Sequence, residues 1–267
     1  MKRGPLSVSS IDSKLFSVCI GEGPVLATAL HSAHALRDEL AKLIAVDEAT
    51  RLREEDPYTD QLADAAPSQV IFRRSRFEVD LNRARDEAVY ARPEDAWGLQ
   101  LWKHPLPQAL IDRSLSEYDA FYRVLRAVLQ NLEQEYGHFI VLDIHSHNHR
   151  RAGPNAPPGP VALDPEVDVA TGKMDRNRWA KVVDCLIAEL QGFDFYGRHL
   201  DVRENVKFQG RHLAHWIHTN FPTSGCGLEI ELKKFFMDEW SGQVDKVQLA
   251  GIRAALEYVI PQIINEL

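Results

Sequence analysis

Long apolar runs are missing from this sequence of 267 residues. Its longest, such as residues 25–30 and 139–142, are far shorter than the ~20 residues of a membrane-spanning helix, so we predict no membrane association. The first ten residues carry two basic side chains without the apolar core of a secretory signal. Cysteine is also scarce, and the three widely spaced residues Cys19, Cys185 and Cys226 suit reduced thiols better than a disulfide framework. We therefore expect a soluble, cytoplasmic protein.

Positive charge is in deficit overall but is concentrated locally. With 31 Lys and Arg against 39 Asp and Glu, the formal net charge is −8, which disfavours nucleic-acid binding because a basic surface normally supplies that affinity. Five arginines nevertheless fall between residues 73 and 85, and Arg150 with Arg151 forms a second basic pair. In an acidic protein, such concentrated arginine indicates a site for an anion.

Three common catalytic and nucleotide-binding motifs are missing as well. The chain has no GxSxG nucleophile elbow, no GxxxxGK(S/T) phosphate loop and no GxGxxG dinucleotide fingerprint. Cys226 lies between two glycines and could be a nucleophile with a nearby histidine, but we interpret it as a small packing residue. The chemistry must therefore come from other side chains.

The composition is otherwise that of a globular protein, with 45% hydrophobic and 26% charged residues. We expect one domain over residues 1–267, because single α/β units reach this length. The apolar patterning alternates strands with helices, which predicts an α/β fold with a largely parallel sheet. The predicted strands are 25–30, 70–72, 139–144 and 228–233, and the predicted helices are 35–43, 115–136, 179–190 and 244–264, with a long loop at 47–66.

Side chains that can bind a metal follow these strands or lie within them. His31 and His145 come at the ends of two strands, and Glu231 lies within a later one. Ligands collect beyond the carboxyl ends of strands in open α/β sheets. Two histidines and a carboxylate there suit a catalytic zinc, which takes three protein ligands and leaves a position for water. The candidates for the acidic ligand lie in the long loop: Glu54, Glu55 and Asp56.

Each of these signals has a structural alternative. His31 and His145 could be hydrogen-bonded structural residues, the acidic triplet a solvated loop, and Glu231 a surface residue paired with Lys233. A partly exposed helical face accounts, without a metal, for a group of histidines that recurs every three residues: His212, His215 and His218.

Six short segments, taken in order, resemble the N-formylglutamate amidohydrolase family, a branch of the zinc carboxypeptidase-like hydrolases. They are ATALHSAH around His31, the acidic segment from Glu54 to Leu62, DLNR from Asp80 to Arg83, DIHS from Asp143 to Ser146, the segment from Asn205 to Gly210, and the strand of Glu231. Each motif alone is common, but their combination in this order is specific. Three departures surround the expected substrate pocket: Arg211 replaces a glycine, the first histidine lacks the usual preceding proline, and the segment from His147 to Arg151 is richer in histidine and arginine.

The resemblance implies a three-layer α/β fold of the phosphorylase/hydrolase-like, zinc carboxypeptidase-like type, with a mostly parallel mixed sheet. It also implies zinc as the cofactor, held by His31, His145 and an acidic residue. Asp56 keeps the family's spacing for that residue, and Glu55 is the nearest competitor. Glu231 would then act as the general base on a water molecule activated by the metal.

The same resemblance implies a small-molecule substrate that carries a carboxylate. Asn82 and Arg83 are expected to hold it, since a guanidinium pairs with a carboxylate through two parallel hydrogen bonds. Asn205 and Arg150 are further expected substrate-binding residues, and Asp143 receives no role. The expected reaction is hydrolysis of the amide bond of an N-acyl amino acid. A carboxypeptidase-like peptide hydrolase and a non-catalytic metal-binding accessory protein of the same fold are the alternatives.

Overall fold

The computed structural model describes residues 9–267, and a mixed sheet of eight strands forms its centre. The strands are β1 (Ser9–Asp12), β2 (Phe16–Ile20), β3 (Val25–Ala29), β4 (Ser68–Phe72), β5 (Phe139–His147), β6 (Val167–Ala170), β7 (Val202–Glu204) and β8 (Gly225–Lys233). They lie in the order β1-β2-β4-β3-β5-β8-β6-β7. The central strands β4, β3, β5 and β8 run parallel, while β1, β2 and β6 pair antiparallel with their inner neighbours. The N-terminal segment considered for a secretory signal lies largely outside the described residues.

Helices cover both faces of this sheet. The described residues form α1 (Asp38–Ala41), α2 (Glu48–Glu54), α3 (Thr59–Ala63), α4 (Gln108–Tyr136), α5 (Ala180–Gly192), α6 (His212–Asn220) and α7 (Lys246–Ile264). One apolar core lies beneath α3, α5 and α7, and another lies beneath α4 and α6. The predicted three-layer α/β fold with a mostly parallel sheet is therefore confirmed. No helix in residues 9–267 combines the length and the apolar character needed to cross a membrane.

Strand β5 begins with apolar side chains and ends with polar ones, although all nine of its residues are buried. Phe139 and Val141 contact the core beneath α4 and α6, whereas Ile140 contacts the opposite core. Because side chains alternate between the faces of a strand, Asp143 and His145 continue the face of Phe139. The strand thus carries its polar side chains to the carboxyl edge of the sheet.

Strand β8 repeats this pattern beside β5. Gly227 lies where α6 crosses the strand, and a Cβ there would lie only 3.0 Å from the Cδ1 atom of Ile217. The small residue therefore lets the helix pack directly on the sheet. Further along the same face, the two glycines are followed by Glu229 and Glu231. Two neighbouring parallel strands consequently end in acidic and imidazole side chains on one face.

Most of the predicted elements are confirmed, including the four predicted strands and the helices α4, α5 and α7. Gly137 ends α4 with a φ of 80°, a conformation that glycine adopts without strain. The prediction that the polar cluster from His145 follows the strand was wrong in detail, since β5 continues to His147.

Two further predictions were wrong. The predicted helix at 35–43 shortens to the four residues of α1. The predicted loop at 47–66 contains α2 and α3. Asp47 begins α2 by accepting a hydrogen bond from the Thr50 backbone N–H at 2.7 Å, but the helix buries Arg51 and no apolar residue. Its periodicity was therefore invisible in the hydrophobic pattern.

Candidate metal centre and active site

Two histidines and an aspartate meet at the carboxyl edge of the sheet. His31 follows β3, His145 lies near the end of β5, and Asp56 lies between α2 and α3. Asp56 Oδ2 is 3.0 Å from Nδ1 of His145 and 3.3 Å from Nδ1 of His31. All three side chains are buried, and their possible ligand atoms lie within 4.8 Å of one another. The structure therefore brings together both predicted histidines and one acid of the predicted triplet.

Each histidine is oriented by a second carboxylate at its other ring nitrogen. Nε2 of His31 lies 2.7 Å from Asp80 Oδ1, and Nε2 of His145 lies 2.9 Å from Asp143 Oδ2. An ionised carboxylate only accepts hydrogen bonds, so each Nε2 donates to its carboxylate, and in the neutral ring Nδ1 then presents a lone pair toward Asp56. Imidazoles supported in this way are typical of metal ligands. Asp80 and Asp143 are thus positioning residues, a role that the sequence analysis missed.

The donor set fits a zinc ion. When both rings are neutral, two nitrogen lone pairs face one carboxylate oxygen at 3.0 and 3.3 Å, an arrangement that favours a positive charge among the three atoms, either a metal ion or a proton on an imidazole. Zinc bonds to histidine nitrogen and carboxylate oxygen at ~2.0–2.2 Å, and the tetrahedral ligands of such an ion are about 3.3 Å apart. Three protein ligands is also the number that catalytic zinc sites use.

The pKa values of His145 and Asp56 also favour a positive charge in this cluster. Burial opposes a charged imidazole, but the carboxylates of Asp143 and Asp56 outweigh it and raise the pKa of His145 well above its usual value. Burial also opposes ionisation of Asp56, yet hydrogen bonds from His145 and His31 hold the pKa of its carboxyl well below the ordinary range. A metal ion at this point would therefore compete with a proton on His145.

Of the acidic triplet, which the structure describes in full, only Asp56 reaches the histidines. Glu55 is completely buried, but its carboxylate pairs with His34 at 2.5 Å and accepts from the hydroxyl of Ser75. Glu54 lies in the wall of the neighbouring cavity. The expectation that Glu55 competes as a metal ligand is thereby corrected, because its carboxylate is committed to other partners.

Glu231 lies beside His145 on the neighbouring strand. The two residues are partners in the parallel register of β5 and β8, and both line the same cavity. Glu231 is only 5% exposed, so its carboxylate is sheltered from bulk water. The alternative pairing with Lys233 was wrong, because the Lys233 ammonium donates to the backbone carbonyl of Asp164 at 2.9 Å.

Glu229 is a further carboxylate on β8, two residues before Glu231 on the same face of the strand. Glu229 is completely buried and accepts hydrogen bonds from the Asn82 amide at 3.1 Å and from the Arg211 backbone N–H at 2.9 Å. Burial raises its pKa to about 7. The alternating pattern of the strand already contained Glu229 on the face of Glu231, but the sequence analysis gave it no role.

A cavity of about 60 Å³ opens over these residues. Rings of Trp97 and Phe208 form part of its wall, together with the carboxylates of Glu54, Asp56 and Glu231. Its lining also contains a group of cationic side chains: Arg53, Arg76, Arg151, Arg211 and Lys234. In a protein of net charge −8, this concentration of positive charge favours an anionic ligand.

Of the residues expected to bind the substrate, Asn82 lies in the cavity lining and Arg83 does not. Asn82 lines the cavity, where its amide nitrogen donates to Glu229. Arg83 does not belong to the described lining. Its guanidinium donates to the carbonyl oxygen of Asp95 at 2.7 Å and stacks on the ring of Tyr90 at 4.6 Å. The structure thus does not place Arg83 in the described lining of the cavity, and its role as a carboxylate clamp stays a prediction.

Asn205 and Arg150 also lie outside the described lining of the cavity. The Asn205 amide bonds to the backbone N–H and the hydroxyl of Thr171 at 2.9 and 2.7 Å, and Arg150 pairs with Asp238 at 2.5 Å. The structure therefore does not place these two residues in the described lining of this cavity, and their contact with the substrate stays a prediction. Arg211, by contrast, lines the cavity, and within residues 9–267 its guanidinium has no hydrogen bond or ion pair.

Cys226 and the trio of histidines on α6 lie away from the metal centre. Cys226 is buried on the face of β8 opposite Glu231, in the core beneath α5 and α7. His218 bonds to the carbonyl oxygen of Gly227 at 3.0 Å, and His212 packs on the α4 tyrosines. Their interpretation as packing and helix-face residues is confirmed.

A protein-family match agrees with this arrangement of residues. The family model of N-formylglutamate amidohydrolase matches residues 23–236, a span that contains all three candidate metal ligands and Glu231. The chain belongs to the N-formylglutamate amidohydrolase family. The resemblance found in the sequence is thus confirmed. No curated protein sequence matches this family member significantly.

Two solved structures have folds similar to that of this chain. An N-formylglutamate amidohydrolase from Ralstonia eutropha JMP134 aligns with a TM-score of 0.77 and 17% identity, over 95% of this chain and 98% of its own. A gene product of Agrobacterium tumefaciens aligns with a TM-score of 0.69 and 18% identity, over 95% of this chain and 96% of its own. At such identities the likeness concerns the fold alone.

Proposed function

We propose that this protein is a zinc-dependent amidohydrolase that cleaves the amide bond of a small N-acyl amino acid. One observation carries the proposal: a buried set of metal ligands, His31, Asp56 and His145, lies directly beside the carboxylate of Glu231. Membership of the N-formylglutamate amidohydrolase family supports an amide as the bond that is cleaved.

Different residues of the chain have different roles in such a hydrolysis. Zinc at this donor set would lower the pKa of a water molecule to near 7 and polarise the substrate carbonyl. Glu231 takes the proton of the attacking water and returns it to the leaving nitrogen, as a positioned general base does. Asp80 and Asp143 hold the two imidazole rings, which keeps their Nδ1 lone pairs directed at one point.

A carboxylate on the substrate would match the charge of the cavity. Arg53, Arg76 and Arg151 each have an acidic partner, at distances of 3.3, 2.9 and 3.5 Å. Arg211 has none within the described residues, so we propose it as the residue that binds the substrate carboxylate. Arg83 is a poorer candidate, because its guanidinium is already bonded to Asp95.

The proposed substrate is small because the cavity is small, at about 60 Å³. All three cysteines are free, which agrees with a reducing compartment, and we propose that the activity is cytoplasmic.

Zinc analysis combined with a substrate screen tests the proposal. We expect about one zinc per chain by elemental analysis, and turnover of at least one N-acyl amino acid that is lost with a chelator and restored by zinc. Cleavage of peptides in place of N-acyl amino acids would favour the carboxypeptidase-like alternative. Stoichiometric zinc without turnover of either class would favour the accessory protein.

A further inference from the structure

His147 is a buried residue of the cavity wall that the proposed mechanism does not use. It lies two residues after His145 on β5 and is 5% exposed. Its ring packs against that of Phe208, with 5.2 Å between the centroids, and both rings line the cavity. The side chain is therefore held in place before any ligand binds.

The tautomer of His147 is determined by Asp164. Nε2 of His147 lies 3.1 Å from Asp164 Oδ1, and the same oxygen accepts from the Lys207 ammonium at 2.6 Å. Burial opposes ionisation of Asp164, but hydrogen bonds from His147 and Lys207 lower the pKa of its carboxyl to about 2, so Asp164 only accepts and Nε2 carries the hydrogen. In the neutral ring, Nδ1 is consequently a bare acceptor.

This acceptor has no donor of its own in the part of the chain that the structure describes. Nδ1 of His147 is buried without a hydrogen-bond partner, and it lies 3.8 Å from Oε2 of Glu231. Two acceptors at that separation can both come within hydrogen-bond distance of one atom placed between them. Burying an acceptor without a hydrogen-bond donor costs free energy. The two acceptors, Nδ1 of His147 and Oε2 of Glu231, therefore suit a ligand whose N–H or O–H group lies between them.

We infer that Nδ1 of His147 accepts the hydrogen bond of the scissile amide N–H and so orients the leaving nitrogen toward Glu231. This inference rests on the proposed function and makes the substrate class more specific. The substrate is a secondary amide, with a hydrogen on the scissile nitrogen. Esters, and tertiary amides such as N-acyl derivatives of proline, lack the donor and would place a lone pair or an alkyl group against Nδ1.

A matched pair of substrates isolates this contact. We compare the best-cleaved N-acyl amino acid with the ester in which oxygen replaces the N–H group, on the parent protein and on His147→Phe. The variant should lose about 10-fold to 100-fold in kcat/KM on the amide, because the N–H loses its acceptor. On the ester it should lose nothing or improve, since the repulsion between lone pairs disappears. Asp164→Asn, which can donate to Nε2 and shift the ring hydrogen to Nδ1, should change the amide-to-ester ratio in the same direction.

His149→Phe is the control, because His149 belongs to the same segment and is not among the residues that line the cavity. It should leave the ratio unchanged, and zinc content should be equal in all variants. Equal losses on amide and ester in His147→Phe, or no loss on either, would overturn the inference while leaving the proposed function intact. If no compound is cleaved, the proposed function fails, and the same comparison is made on the dissociation constants of N-formyl-L-glutamate and its ester analogue. An unchanged ratio there, or no binding of either compound, would also overturn the inference.

Discussion

His145 and Glu231 are register partners on the adjacent parallel strands β5 and β8. The two residues are far apart in the sequence, yet the pairing puts a metal ligand and a carboxylate on the same face of the sheet at the same level. Neither side chain depends on a flexible loop for its position. The relationship explains how one sheet edge can hold both the metal and the base of a hydrolase.

Glu231→Gln should separate the base from the metal ligands. The amide keeps the shape of the side chain but cannot take a proton from water. We expect normal zinc content and a loss of roughly 10²–10⁴-fold in kcat, the usual contribution of a positioned general base. Steady-state kinetics with elemental analysis of the same samples measures both quantities. Near-normal turnover would show that Glu231 is not the base.

Asp143→Asn tests the orientation of the imidazole of His145. The substituted amide can donate to Nε2, and this frees the ring to place its hydrogen on Nδ1, where the metal should bind. We expect zinc affinity to fall about 10-fold to 100-fold, the usual cost of losing a partner that orients a ligand. Competition with a chromophoric chelator measures the affinity. Glu54→Gln, which changes an acid of the cavity wall outside the donor set, should keep parental affinity. Equal affinities in all three proteins would remove Asp143 from the site.

The sequence predicted the parts of the site that depend on short segments and missed those that depend on tertiary neighbours. His31 and His145 could be identified because each comes at the end of an apolar run of the sequence, and Asp56 because its spacing resembles that of the family. The roles of Asp80 and Asp143 depend on which ring nitrogen faces them, and no periodicity encodes that. Arg83 was assigned to the substrate because arginine suits carboxylates. In the folded chain its partners are the carbonyl oxygen of Asp95, the ring of Tyr90 and the carboxylate of Asp80, which lies 3.6 Å from its Nε atom.

The stability of the fold should depend on pH through Glu78. Burial, reinforced by Glu117, raises the pKa of Glu78 from 4.5 to about 8. Between these values the folded protein holds a proton that the unfolded chain releases, so the free energy of unfolding should fall as pH rises. Glu78→Gln removes this proton and keeps an acceptor for the Arg37 backbone N–H, which now bonds to Glu78 at 2.7 Å.

Urea unfolding of both proteins at about pH 5.5 and about pH 7.5 measures the effect of this carboxyl group. The loss of stability between the two values should be smaller in Glu78→Gln than in the parent protein. The same loss in both proteins would mean that Glu78 is ionised throughout.

Arg211→Ala should weaken recognition of the substrate carboxylate, whereas Arg83→Ala should chiefly affect the loop that holds it. A charge-assisted hydrogen bond contributes about 1.5–3 kcal/mol, so Arg211→Ala should lose roughly 10–150-fold in kcat/KM on an N-acyl amino acid. The loss should be small on the corresponding carboxamide, which has no negative charge to recognise. Arg83→Ala should reduce thermal stability and change the ratio between acid and carboxamide little, because its guanidinium contacts Asp95 and Tyr90. Comparing two enzymes on two substrates isolates the contact from general damage to the fold. If Arg83→Ala changes that ratio and Arg211→Ala does not, the carboxylate binds at the arginine that the sequence indicated, and the loop around Asp95 must rearrange to release it.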